Sequence, residues 1–214
     1  IAALPMAGSS GPVTLAGVLA MQNAELLAGI TLAQLISPGT PVVYGSTATS
    51  IDMRTGALAI GSPELSLLVA AHAQMARYYR LPSRGGGSLT DACTVDAQAG
   101  FESMLGLLTA VASGVDFVLH AAGILASYLA VSYEKLVLDD EMCGMVRHCR
   151  RGFSVDPETL SYDVIAAVGP GGNFLAEAHT VERCRSAFWL PAVCDRGGLE
   201  AWMAGGRLDA LTRA

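Results

Sequence analysis

The segment IAALPMAGSSGPVTLAGVLAMQNAELLAGITLAQLI, residues 1–36, contains a short apolar run, a polar glycine-rich loop and a long apolar stretch. The apolar run at 1–6 favours a strand, and the stretch at 13–36 is long enough for a helix of about six turns. Pro12 suits the first turn of that helix, and Pro38 with Gly39 ends it. The segment therefore predicts one strand–loop–helix unit.

Three further units of the same kind follow along the chain. Their strands are predicted at 41–44, more weakly at 79–82, and at 115–120. Their helices are predicted at 62–80, 96–113 and 132–150, with long connections at 45–61 and 121–131 and a further helix at 157–168. Strands that alternate with helices pair in parallel through right-handed crossovers, so the predicted fold class is α/β.

Four units are half of the eight that a closed TIM-type barrel of about 250 residues requires. We therefore expect residues 1–168 to form about half of such a barrel. Residues 169–214 are interrupted repeatedly by glycine and proline, so we expect a helical carboxyl-terminal extension there. The chain begins at Ile1, inside the first predicted strand, and we expect either a processed protein or a piece of a longer polypeptide.

Composition argues against several classes of partner. The 214 residues are 52% hydrophobic, carry a net charge of -6 and include a single lysine, Lys135, so no nucleic-acid partner is expected. The apolar stretches at 15–36 and 104–131 contain polar side chains, so neither is expected to span a membrane. Five cysteines without a C-x-x-C pair argue against structural zinc or disulfides and indicate a reducing, cytoplasmic compartment.

The candidate site residues follow from their position after the predicted strands. In parallel α/β folds the active site lies at the carboxyl ends of the strands, which selects Ser9, Ser10, the segment 44–52, Arg84 and His120. His120 ends an apolar strand, so it is either a side chain in the mouth of the barrel or a core histidine bonded to a neighbouring carbonyl. The other histidines favour structural, solvated or capping positions; they are His72, His148 and His179.

Two glycine-rich segments, 85–87 and 171–173, could cradle a phosphate. Neither fits a nucleotide-binding motif, so tight turns and helix ends are the favoured interpretation. Composition and general motifs therefore indicate a parallel α/β enzyme-like domain and nothing more specific.

A series of longer motifs covers most of the chain in a fixed order. The motifs are GPVTLAG at 11–17, NAE at 23–25, PVVYG at 41–45, DMRTG at 52–56, GSPE at 61–64, DAQAG at 96–100, SYEKL at 132–136 and GPGGNFL at 169–175, followed by His179 and Thr180. The series resembles the trimethylamine methyltransferase family, the corrinoid-dependent methyltransferases that include glycine betaine methyltransferases. The resemblance implies a TIM-type barrel and transfer of an N-methyl group from a methylated amine to the Co(I) of a separate corrinoid protein.

The resemblance also implies several features of the whole protein. Family members are usually more than twice this length, so the chain corresponds to their carboxyl-terminal half, and it would associate with the missing half or form a homo-oligomer. Every position holds a standard residue, unlike in the pyrrolysine-containing members, which favours a quaternary, betaine-like amine. The corrinoid (cobalamin) is carried by the partner protein, and no cofactor is expected to bind this chain tightly.

Recognition of a quaternary ammonium relies on aromatic faces and carboxylates, because the nitrogen has no hydrogen to donate. Candidate faces are Tyr44, Tyr128, Tyr133 and Phe117, and candidate counter-charges are Asp52 and Asp96. The carboxylate of a betaine requires a cation or a histidine, which Arg84 or His120 can supply. The substrate-binding residues predicted from the sequence are Tyr44, Asp52, Arg84, Asp96, His120 and Tyr133, and no catalytic residue is assigned.

Two alternatives remain open at this point. The first is a non-catalytic binding module for methylated amines. The second is another TIM-barrel enzyme that acts on a small anionic substrate, such as an aldolase or a phosphate-ligand lyase. An aldolase ordinarily requires a Schiff-base lysine in the mouth of the barrel, whereas Lys135 is predicted to lie in a helix.

Overall fold

The computed structural model describes all residues from 1 to 214. The strands are β1 (Ala2–Ala3), β2 (Met6–Ala7), β3 (Tyr44–Ser46), β4 (Thr49–Ile51), β5 (Leu58–Ala59), β6 (Ser83–Arg84), β7 (Ile124–Leu125) and β8 (Ala130–Val131). The helices are α1 (Leu15–Ile36), α2 (Pro63–Tyr78), α3 (Ala97–Ala112), α4 (Tyr133–Arg151), α5 (Pro157–Leu160), α6 (Tyr162–Val168), α7 (Ala178–Arg183), α8 (Leu199–Ala204) and α9 (Ala210–Arg213).

The main sheet is parallel and its strands follow chain order. β1 pairs with β3, and β3 pairs with β6. A further parallel pairing joins Arg84 to Phe117 and Gly87 to His120. Because α1, α2 and α3 connect these four segments, each crossover contains one helix, as parallel pairing requires. The α/β class predicted from the sequence is therefore confirmed.

Three of the four long helices begin where the sequence predicts them, because their caps are local. Helix α1 instead begins at Leu15 without a side-chain cap, so Pro12 lies before its first turn and not in it. The side chains of Ser62, Asp96 and Ser132 accept hydrogen bonds from the backbone three residues later, at the starts of α2, α3 and α4. Gly152 ends α4 with a φ of 65°. The prediction of one helix at 157–168 is wrong, because Ser161 adopts a left-handed conformation and divides it into α5 and α6.

The strand boundaries differ from the predicted ones. The first strand is divided at Pro5, which has no N–H to donate to a ladder. The second and third begin at Tyr44 and Ser83 instead of 41 and 79, and the fourth, predicted at 115–120, pairs at isolated positions only. The connections 45–61 and 121–131 are not plain loops, since they contain the antiparallel pairs β4–β5 and β7–β8.

Helix α1 packs one face against the sheet and α2. Val18, Gln22 and Leu26 are buried and lie four residues apart, on the same side of the helix. By length and composition alone, α1 is the one helix that could cross a membrane. Its buried face nevertheless includes a polar side chain, because Gln22 donates to His72 Nδ1 at 2.9 Å and accepts from Ser46 Oγ at 2.6 Å.

The carboxyl-terminal tail is attached to α4 by one buried carboxylate. Glu141 accepts hydrogen bonds from the backbone N–H groups of Ala192, Val193 and Cys194 at 2.9, 3.2 and 2.9 Å. Burial opposes the charged form of Glu141, but the three backbone donors outweigh it and lower its pKa.

Candidate functional site

Arg84 and His120 lie together at the carboxyl end of the parallel strands. Arg84 is the last residue of β6, and the paired segment from Phe117 to His120 runs beside it. The ring of Tyr128 lies next to His120, with the ring centroids 5.0 Å apart and the planes at 63°. The rule that site residues follow the strands thus selected Arg84 and His120, which lie near each other in the structure. The ring of Tyr128 is the third member of this group.

The charges in this group are arranged to favour an anion. Burial and the nearby Arg84 guanidinium lower the pKa of His120, so the imidazole is neutral at neutral pH. Burial raises the pKa of Tyr128 to about 12, so the phenol keeps its proton. Arg84 is half-buried and is absent from every ion pair in the 214 residues. Its positive charge is thus available to a ligand.

Tyr128 is held in a left-handed turn of three residues. Ala126, Ser127 and Tyr128 have φ angles of 48°, 51° and 76°, and none of them is glycine. Each such residue costs about 1–3 kcal/mol, and backbone strain of this kind clusters at functional sites. Sequence reasoning selected Tyr128 only as one of four aromatic candidates, because no Gly or Asn marks the turn.

Tyr44 lies in the packed core. Its side chain is fully buried, and its hydroxyl donates to Asn23 Oδ1 at 2.8 Å. The ring stacks on His72 with centroids 4.8 Å apart, so one aromatic face is already covered. Burial raises the pKa of Tyr44 to about 12.

The two predicted counter-charges stabilise local structure. Asp52 lies in the turn between β4 and β5, where the Arg54 side chain at 3.0 Å lowers the pKa of the carboxyl to about 2. Asp96 caps α3 through the N–H of Ala99 at 3.1 Å. Tyr133 is the first residue of α4 and is 85% exposed. The side chains of these residues and of Tyr44 make no hydrogen bond, ion pair or ring contact with the side chains of Arg84 or His120, although the backbone of β3 pairs with that of β6.

Lys135 is enclosed in a buried ion pair. Its Nζ donates to both carboxylate oxygens of Asp139, at 2.9 and 2.6 Å, to Ser103 Oγ at 2.9 Å and to the Ser88 carbonyl at 3.2 Å. Burial raises the pKa of Asp139, and the backbone N–H of Gly123 donates to the same carboxylate at 2.7 Å. These contacts occupy every proton of the ammonium, which argues against a Schiff-base role.

The glycines at 85–87 serve strand pairing beside His120. Gly85 N–H donates to the Phe117 carbonyl at 3.1 Å, and Gly87 has a φ of 147°. A methyl group at Gly87 would collide with the His120 backbone, so only glycine permits this approach. No group of three or more His, Cys, Asp or Glu side chains is suited to a metal ion, and the five cysteines are free thiols.

Comparison with known proteins matches the whole chain to one family. The profile of the trimethylamine methyltransferase family matches residues 1–214. A glycine betaine methyltransferase of Desulfitobacterium hafniense is 53% identical over all 214 residues, which cover 44% of that relative. A trimethylamine methyltransferase of the same species is 41% identical over 98% of the chain and 42% of the relative. A proline betaine:corrinoid methyltransferase of Eubacterium limosum is 41% identical over 89% of the chain and 40% of the relative. The chain spans less than half the length of these curated relatives.

Proposed function

The chain belongs to the trimethylamine methyltransferase family, and from this membership we propose that the protein moves an N-methyl group from a quaternary, betaine-like amine to the Co(I) of a corrinoid protein. The observation that carries the choice of substrate is the unpaired Arg84 beside a neutral His120 and the ring of Tyr128. This group offers one cation, one neutral hydrogen-bond donor and one aromatic face.

These three side chains match the two ends of a betaine. The Arg84 guanidinium pairs with the carboxylate, and the neutral imidazole of His120 donates to it from one ring nitrogen. The quaternary ammonium lies against the Tyr128 ring, which attracts a cation by its π face. Trimethylamine lacks a carboxylate, so its binding would leave the Arg84 charge unpaired, and the site therefore favours a betaine.

The reaction requires placement more than acid–base chemistry. The electron pair of Co(I) forms the new bond to the methyl carbon, the C–N bond breaks, and its electron pair stays on the tertiary amine product. No proton moves, so no general acid is needed. Holding the methyl carbon in line with the cobalt is the contribution of the side chains that bind the rest of the amine.

We also propose how the whole protein folds and where it is located. Residues 1–168 form about half of a TIM-type barrel and 169–214 a helical extension, and both edges of the parallel sheet lack a partner strand in this chain. The missing half, or a second copy, covers those edges. The corrinoid remains on its own carrier protein in the cytoplasm, and neither a membrane nor a nucleic acid takes part.

Binding of glycine betaine to the complete polypeptide, measured by calorimetry, tests the substrate site. We expect Arg84→Ala and His120→Ala each to weaken binding at least tenfold, since a charge-assisted hydrogen bond contributes about 1.5–3 kcal/mol. Arg84→Lys should recover part of the loss. Arg147→Ala is the matched control, because Arg147 is 70% exposed on α4. Unchanged affinity in the Arg84 and His120 variants with an intact fold would contradict the site.

Methyl transfer to Co(I) cobalamin, followed by the change in its absorbance, separates an enzyme from a binding module. The proposal expects demethylation of a betaine in step with methylation of cobalt. A protein that binds betaines but never methylates cobalt would be a binding module.

A further inference from the structure

The left-handed turn that presents Tyr128 is held by side chains far away in the sequence. Ser127 Oγ donates to the Asp91 carboxylate at 2.6 Å. The backbone of the same turn is fixed as well, because Ala126 N–H donates to the Ala92 carbonyl at 2.9 Å and Ser127 N–H to the Thr90 carbonyl at 3.2 Å. The segment 90–92 is therefore the template on which the strained turn is built.

Asp91 also joins this template to the end of the β4–β5 hairpin. Its Oδ1 accepts from the Ile60 N–H and its Oδ2 from the Gly61 N–H, both at 2.9 Å. One carboxylate thus connects three segments that come from different units of the chain. Burying a carboxylate among backbone donors is favourable only when the donors are in place, so these segments order one another.

Glu102 of α3 accepts hydrogen bonds from the segment 90–92 and so stabilises the template. One of its carboxylate oxygens accepts from the Asp91 N–H at 2.9 Å and from Thr90 Oγ1 at 2.6 Å. The other accepts from Gln98 at 2.9 Å. A methyl group at Gly61 would collide with this carboxylate, so glycine at 61 allows the hairpin to approach.

We propose that Asp91 is a positioning residue, which acts through Ser127 and, with support from Glu102, sets the ring of Tyr128 against His120 and Arg84. Free residues at 126–128 would leave the left-handed region, because its cost is about 1–3 kcal/mol for each non-glycine residue. Without the Asp91 bond the turn relaxes and the Tyr128 ring no longer faces the substrate ammonium. The expected effect on turnover rests on the proposed function, whereas the expected effect on the position of the Tyr128 ring does not.

The first test is the kinetics of betaine demethylation by the complete polypeptide. We expect Asp91→Asn and Ser127→Ala to raise KM by about tenfold, with a smaller change in kcat, because the ring acts in binding. A merely structural role would reduce the amount of active enzyme and leave KM unchanged. Glu141→Gln is the matched control, since that carboxylate also accepts backbone N–H groups but belongs to the tail attachment.

The second test needs no substrate. In protein labelled with 3-fluorotyrosine, the ¹⁹F signal of Tyr128 is assigned by its loss in Tyr128→Phe. We expect Asp91→Asn and Ser127→Ala to shift or broaden this signal and Glu141→Gln to leave it unchanged. If Asp91→Asn fails to fold, Ser127→Ala carries the test, because it removes a single oxygen atom.

The outcomes separate the two proposals. An unchanged ¹⁹F signal and unchanged KM in folded variants would overturn the positioning role of Asp91. A shifted signal in a protein that demethylates no betaine would support the positioning role and reject the proposed function.

Discussion

The buried ion pair of Lys135 and Asp139 connects several segments of this fold. The two side chains are 2% and 0% exposed, and the pair links α4 to Ser103 of α3 and to the loops that contain Ser88 and Gly123. Those loops lie directly after Gly87 and His120. A buried pair contributes little net stability, but removing one partner leaves an uncompensated charge.

We predict that Lys135→Met lowers the free energy of unfolding by about 3–5 kcal/mol, because Asp139 would stay buried without its cation. The double variant Lys135→Met with Asp139→Leu should recover much of this loss. Urea denaturation measures both. Arg147→Ala, which breaks the exposed pair with Asp140, should change stability by no more than about 1 kcal/mol. Equal effects of Lys135→Met and Arg147→Ala would show that the pair is not sealed from water.

The sequence shows that Lys135 and Asp139 lie four residues apart, but it does not show that they form a buried ion pair. Residues four apart on a helix face each other equally well on the surface and in the interior. Burial depends on Ser103 and Ser88, which are 32 and 47 residues away along the chain. The same holds for Asp91 and Ser127, which are 36 residues apart. Arg84 and His120 could be selected because Arg84 lies two residues after the strand predicted at 79–82 and His120 ends the strand predicted at 115–120.

At the scale of whole elements, helix α2 is joined to its neighbours through His72. Its Nε2 lies 3.0 Å from the Tyr44 carbonyl, which can only accept, so Nε2 carries the proton. Nδ1 then accepts from Gln22 on α1 at 2.9 Å. The neutral ring thus connects α1, α2 and β3, and protonation would break the bond to Gln22.

This arrangement predicts a loss of stability in mild acid. Burial lowers the pKa of His72 from 6.5 to about 4, so the unfolded chain takes up the proton first as the pH falls. The contribution of His72 to the free energy of unfolding is complete above pH 6.5 and is lost toward pH 4, by about 3 kcal/mol in all. Unfolding free energies measured between pH 7.5 and 4.5 check this. His72→Gln should flatten the profile and His148→Gln should not; a slope unchanged in His72→Gln would contradict the prediction.

Helices and strands differ in how far the sequence predicts their limits. A cap such as Ser62 or Ser132 bonds only three residues away, so local sequence is sufficient to place it. A parallel strand of two or three residues is defined by its partner, as when Tyr44 N–H donates to the Pro82 carbonyl at 2.9 Å. The partner strand is separated along the chain by a whole crossover helix, so local sequence does not show where pairing starts. For this reason β3 and β6 begin later than predicted.

At the scale of the whole molecule, the parallel sheet has two open edges. β1 pairs on one side only, and so does the segment around Phe117. The N–H groups of Leu4 and Val118, one at each edge, donate no backbone hydrogen bond. Leu35 and Ile36 of α1 are each 76% exposed. Unpaired edges and exposed apolar side chains are features that proteins ordinarily cover.

A closed barrel would cover both edges at once, because its first and last strands pair with the other half. We therefore predict that hydrogen exchange at Leu4 and Val118 is at least about 100-fold slower in the longer polypeptide that the half-barrel requires than in the 214-residue chain. Gly85, whose N–H is already bonded to Phe117, should be protected in both. Protection of Leu4 and Val118 that rises with concentration in the 214-residue chain would instead assign the edges to a second copy. Free exchange of both amides in the longer polypeptide would exclude closure, since an N–H in a ladder cannot exchange until its strand opens.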